Sequence, residues 1–131
     1  MKYGYTREAN ADFGTAVACV KEGLQKEGFG ILTEIDVKAT MKKKLNAEYD
    51  KYLILRACNP ALAHRALSAE KEIGLLLPCN VIIYESVGRI FVSAALPTAM
   101  MSIAENDELR GIAAEAEMKL KRAMDSVGDR P

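Results

Sequence analysis

The chain has 131 residues, half of them hydrophobic, which is the length and apolar content of one domain with a real core. Eighteen Lys and Arg balance eighteen Asp and Glu, so no net field draws it to nucleic acid or to acidic membranes. No leader-like apolar run opens it and no segment approaches the ~18 apolar residues of a membrane span, so a cytoplasmic protein with neither partner is expected.

Residues 2–6 read as a short strand with Tyr3 and Tyr5 on one face. Asn10 or Asp12 then caps a helix reaching about residue 27, with Phe13, Ala16, Val17, Val20 and Leu24 at amphipathic spacing. Gly28 and Gly30 end it and lead into a strand over 29–35. Asp36 caps a short helix through Met41 and Leu45, and Asn46 stops it. The lysines of this stretch, Lys38 and Lys42 to Lys44, read as a solvated face.

A third strand over 49–57 alternates Tyr52, Ile54 and Arg56 against Leu53, Leu55 and Ala57. Asn59 as N-cap and Pro60 as first helical residue start a helix to about residue 73, ended by Gly74. Residues 78–85 form a strand that is apolar on both faces and therefore central. A tight turn over 86–89 leads to its hairpin partner, 90–94. Pro97 opens a short helix over Met100 and Met101, whose side chains read as flexible packing. A last helix over 107–126 carries Leu109, Ile112, Ala113, Ala116, Leu120 and Val127, and residues 128–131 read as a frayed tail. This order predicts a single α+β domain over 1–127: one mixed or antiparallel sheet of about five strands covered by helices, the C-terminal helix among them.

Two Cys-Asn dipeptides, each beside a proline at a strand border, are the candidate site. Cys58 and Asn59 follow Arg56, and Cys79 and Asn80 follow Pro78. Cys58 stands just before a helix N-terminus and two residues after Arg56, surroundings that lower a thiol pKa. Cys79 shares a strand face with Val81, Ile83 and Glu85, the position of a core sulfur. Asn80 points the opposite way, and Asn59 is explained by capping. Cys19 belongs to an apolar helix stripe.

Three cysteines without a CxxC pair, and one histidine, cannot close a structural zinc site within one chain. Cys58 and His64 are the candidate metal ligands, for zinc or another divalent ion, and in a dimer His64 could instead join an interfacial site with a Glu or Asp of the other chain. His64 lies opposite the stripe of Leu62, Ala66, Ala69 and Ile73, so it faces solvent or a subunit partner.

The segments Gly28-Phe29-Gly30-Ile31-Leu32-Thr33-Glu34-Ile35-Asp36 and Leu53-Ile54-Leu55-Arg56-Ala57-Cys58-Asn59-Pro60 resemble the domain-of-unknown-function family numbered 302. The blocks Leu62-Ala63-His64-Arg65-Ala66-Leu67 and Ile73-Gly74-Leu75-Leu76-Leu77-Pro78-Cys79-Asn80-Val81 fit as well, and the likeness covers nearly the whole chain. It implies a small bacterial or archaeal α+β protein, often stand-alone and self-associating, and supplies no reaction.

The sequence has no glycine-rich phosphate loop, Ser/His/Asp order, zinc-protease helix or dinucleotide fingerprint. The reading is a homo-oligomer, a dimer in the first instance, with a cysteine-containing site for a metal or small ligand. The alternatives are a redox or sulfur-handling protein using Cys58, and an assembly protein whose cysteines only pack.

Overall fold

The computed structural model describes residues 2–128, so residues 129–131 of the expected tail lie outside the described residues. The strands are β1 (Gly4–Ala9), β2 (Gly30–Asp36), β3 (Tyr52–Cys58), β4 (Cys79–Ser86) and β5 (Arg89–Ala95), in the spatial order β1-β5-β4-β3-β2. Every pairing is antiparallel, which settles the mixed-or-antiparallel alternative. β4 is the middle strand, as its two apolar faces predict. The edge strand β2 slips register between Ile31 and Thr33, a bulge of the kind that protects exposed edges.

The helices are α1 (Phe13–Lys26), α2 (Val37–Leu45), α3 (Pro60–Ala69), α4 (Pro97–Met100) and α5 (Asp107–Gly128), with a 3-10 turn at Lys71–Leu76. Local chemistry sets most of their ends. Thr15 N–H donates to Asp12 Oδ1 at 2.7 Å, and Ala39 N–H to Asp36 Oδ1 at 2.9 Å. Helix α1 closes in a Schellman motif: Gly28 takes φ 86°, and Phe29 N–H donates to the Leu24 carbonyl at 2.9 Å. Buried Phe29 and Leu24 supply its apolar contact in the core. Asn46 adopts the left-handed conformation expected of a helix stop. The β4–β5 hairpin turns through Val87 (φ 50°) and Gly88 (φ 73°), the two positive angles of a type I′ turn.

Two helix ends differ from expectation. Helix α3 ends at Ala69 because Glu70 is extended, and Gly74 sits inside the 3-10 turn that follows. That turn still buries Ile73, so its apolar phase fitted either conformation. Gly128, expected in a frayed tail, is the last residue of α5.

Helices α1 and α5 pack on one face of the sheet. Leu55, Ala57, Val81, Ile83 and Val92 on that face are completely buried, together with Val20 and Leu24 of α1 and Met124 of α5. Burial of side chains of this size stabilises by about 1.5–3 kcal/mol each before conformational entropy is subtracted. A second cluster, including Leu62, Ile73, Met101 and Ile112, joins α3, the 3-10 turn and α5 at one end of the sheet. Strand β1 is held to α5 by polar groups: Tyr5 Oη donates to Asp125 at 2.6 Å and Arg7 pairs with the same carboxylate. No buried side-chain nitrogen or oxygen lacks a hydrogen-bond partner among the described residues.

Candidate binding cleft at the Cys79 end of the sheet

The two Cys-Asn blocks meet at one end of neighbouring strands. In the β3–β4 register Ala57 faces Cys79 and Arg56 faces Asn80. Cys58 follows as the last residue of β3, and all three cysteines are free thiols. Cys79, with Leu77, Pro78 and Met101, lines two adjoining cavities.

The first cavity lies on the helix side. Cys58, Asn59, Phe29, Leu62 and Ala116 are among its lining residues, and its volume is about 30 Å3. That is room for a water or two, with almost no polar surface to hold one, so it is a packing crevice. Asn59 acts there as expected of a cap: Leu62 N–H donates to its Oδ1 at 3.3 Å. Its Nδ2 also donates to the Glu27 carbonyl at 3.3 Å, fastening the start of α3 to the end of α1.

The second cavity is larger, about 170 Å3. Arg56 and Asn80 supply its polar side, while Leu75, Leu77, Pro97, Met100 and Met101 supply much of the apolar wall. Such a space matches a body of benzene size, since an engineered cavity of ~150 Å3 binds benzene. Arg56 is half-buried, and its guanidinium has no ion pair or side-chain hydrogen bond among the described residues. A partly desolvated guanidinium in that position favours an anion, above all a carboxylate or phosphate that can take two of its N–H groups.

Burial pushes the Cys79 thiol up to about 11, and the Cys58 thiol beside it adds to the rise. Cys79 is therefore a neutral sulfur near pH 7 and packs against the core, as its strand face predicts. Cys19 is likewise buried.

His64 faces outward, as its position opposite the apolar stripe predicts, and within one chain it does not join Cys58. His64 is exposed on α3 and lines neither cavity, because it falls between Leu62 and Ala66, whose side chains define the buried stripe. Among the described residues no group of three or more His, Cys, Asp or Glu side chains is placed to hold a metal ion. Nor is any helix among them long and apolar enough to cross a membrane.

The candidate residues thus fall into two groups. Cys58 and Asn59 belong to the crevice, Arg56 and Asn80 to the cleft, and Cys79 to both. Sequence reasoning missed Leu75, Pro97 and Met100 as lining residues. Leu75 and Met100 are exposed in the structure, at 84% and 42%, and Pro97 is buried; their sequence patterns carried no signal of a shared cleft.

No curated protein matches the sequence. The crystal structure of the uncharacterized conserved protein DUF302 from Bacillus stearothermophilus is similar, with 27% identity and a TM-score of 0.92 over 97% of this chain and 99% of that one. The family described as "Domain of unknown function DUF302" matches residues 5–127, and the chain belongs to that family.

Proposed function

We propose that this protein is a binding module for a small organic anion, with a carboxylate or similar group on an apolar body of about benzene size. The observation that carries the reading is the half-buried Arg56 without an ionic partner among the described residues, in a cleft whose other walls are largely apolar. The anionic group sits between Arg56 and Asn80, which are register partners on adjacent strands and so present donors side by side. The body lies over Leu77, Pro97 and the two methionines, whose soft side chains adapt to different shapes. Cys79 contributes a neutral, polarizable wall.

Thermal unfolding with matched ligands tests this. Benzoate and hexanoate are compared with benzyl alcohol, hexanol and inorganic phosphate on the purified full chain. A ligand at a hundred times its Kd stabilises the fold by about 2.7 kcal/mol. The two carboxylates are expected to raise Tm and the neutral alcohols not to, while Arg56→Met removes the effect and keeps the fold. Equal stabilisation of wild type and Arg56→Met, or none by any anion, overturns the reading.

A further inference from the structure

The strand faces turned away from α1 and α5 carry a second apolar surface. Across the register one row runs Ile35, Ile54, Ile82, Ser93, Thr6 and the next runs Tyr52, Tyr84, Phe91, Glu8. The rings of the second row stack, with centroids 5.7 Å apart for Tyr52–Tyr84 and 5.4 Å for Tyr84–Phe91. Tyr49 extends the row at 6.3 Å from Tyr52, and the Arg89 guanidinium lies over Phe91 at 5.3 Å. The rings of Tyr52, Tyr84 and Phe91 are half-buried by one another, with Ile35 and Tyr49 exposed beside them, and an aromatic row of this kind is the composition of an interface centre.

The polar groups beside the aromatic row are satisfied within the chain, whereas Arg56 and Asn80, register partners at one end of the face, have no side-chain partner among the described residues. Ser93 and Thr6 hydroxyls share a hydrogen bond at 2.7 Å, and Arg89 pairs with Glu8. The centre is neutral, and Arg56 stands at one end of it. A nucleic acid would need a positive field to offset its phosphates, which this face lacks. A second copy brings the same neutral, aromatic surface, so apolar centre meets apolar centre while Arg56 is left at the rim, where water or a ligand can reach it.

The area is also of the right order. Strands of six to eight residues, five of them abreast, span roughly 500 Å2 in projection at ~4.8 Å spacing and ~3.3 Å rise. The corrugated accessible surface is larger than its projection and approaches the ~800 Å2 per partner of a standard interface. We infer that two copies of this chain associate face to face through the open side of the sheet, with Tyr52, Ile82, Tyr84 and Phe91 at the centre of the contact. Arg56 and Asn80 of the cleft border this contact, but the inference does not rest on a ligand there.

Sedimentation velocity of the full chain over a micromolar dilution series is the test. Wild type is expected at twice the 14.3 kDa chain mass, and Ile82→Lys and Tyr84→Glu at the monomer mass or with at least about a hundredfold weaker association. Far-UV circular dichroism shows whether each variant has folded. Should either fail to fold, nitration of wild-type tyrosines replaces it: Tyr52 and Tyr84 are expected to be labelled on dilution and protected at high concentration. A wild type that stays monomeric at 100 μM (roughly a hundredfold above a ~1 μM Kd) overturns the inference. So does a dimer that survives both folded substitutions, labelling that ignores concentration, or a monomer that instead captures single-stranded oligonucleotide.

Discussion

Asn59 makes two different bonds with one side chain, and substitution separates them. Its Oδ1 accepts Leu62 N–H at the start of α3, and its Nδ2 donates to the Glu27 carbonyl at the end of α1. Loss of an Asn cap costs about 1 kcal/mol, and a half-buried neutral hydrogen bond contributes about 0.5–1 kcal/mol more. Asn59→Ala is therefore expected to lower the unfolding free energy by about 1.5–2 kcal/mol, a fall of roughly 5–9 °C in Tm for a chain of this length. Asn59→Asp keeps the cap acceptor and gains from the helix dipole, yet it turns a donor into a carboxylate facing a carbonyl. Its loss should be smaller, about 0.5–1 kcal/mol at pH 7. Urea unfolding followed by circular dichroism gives both values, and benzoate binding measured on each variant should match wild type. Equal losses for Ala and Asp would mean that the cap contributes nothing; a neutral Asn59→Ala would remove both terms. Weakened benzoate binding in a folded Asn59 variant would place Asn59 in the ligand site and refute its separation from the cleft.

Val87 holds φ 50° in the hairpin turn with its side chain 94% exposed, a backbone region that β-branched residues resist. Val87→Asn produces the favoured Asn-Gly pair and should raise the unfolding free energy by about 1 kcal/mol in the same urea assay; an unchanged or lower value counts against the turn as described. The Cys79 thiol, raised in the fold, ionises first in the unfolded chain. Its stabilising contribution is thus complete below the ordinary thiol range near ~8.5–9 and is lost as pH rises toward 11. Tyr52, raised mainly by burial and then by Tyr49, Tyr84 and Tyr3, has the same sign, so the measurement is the difference between wild type and Cys79→Ala. That variant should lose about 1–2 kcal/mol less stability between pH 8.5 and 11, and parallel curves would refute the assignment.

Much of the fold was legible because the signals are local. Asp12, Asp36, Asn59 with Pro60, and Asn46 each declare a helix end within three residues, and each does so in the structure. The opposed apolar faces of residues 79–85 marked the middle strand in the same way. Failures came where distant partners decide. Strand β1 runs three residues past its expected end because Arg7 is held by Asp125 and Glu8 by Arg89, far along the chain. The cleft was half legible: Arg56, Cys79 and Asn80 stood out as residue types, but the Met100 and Leu75 side chains come from separate short helices. The outward placement of His64 was legible from the helical stripe, whereas which cysteine lines the crevice and which also borders the cleft is a fact of packing.

The strand order also carries a kinetic consequence. From β2 to β5 the chain forms a meander in which each strand pairs with its successor, and these contacts close short loops. β1 instead joins β5, and its anchor Tyr5–Asp125 spans 120 positions of sequence. Contacts that distant are the slow ones to form, so the meander is expected to assemble first and β1 with the end of α5 to dock last. The same asymmetry persists in the folded state: opening β1 releases one edge and leaves four strands paired. Amides of Tyr5 and Arg7, whose N–H groups face β5 in the register, should therefore exchange with solvent sooner than those of Val81 and Ile83, and the reverse order would mean that the first strand is part of the nucleus.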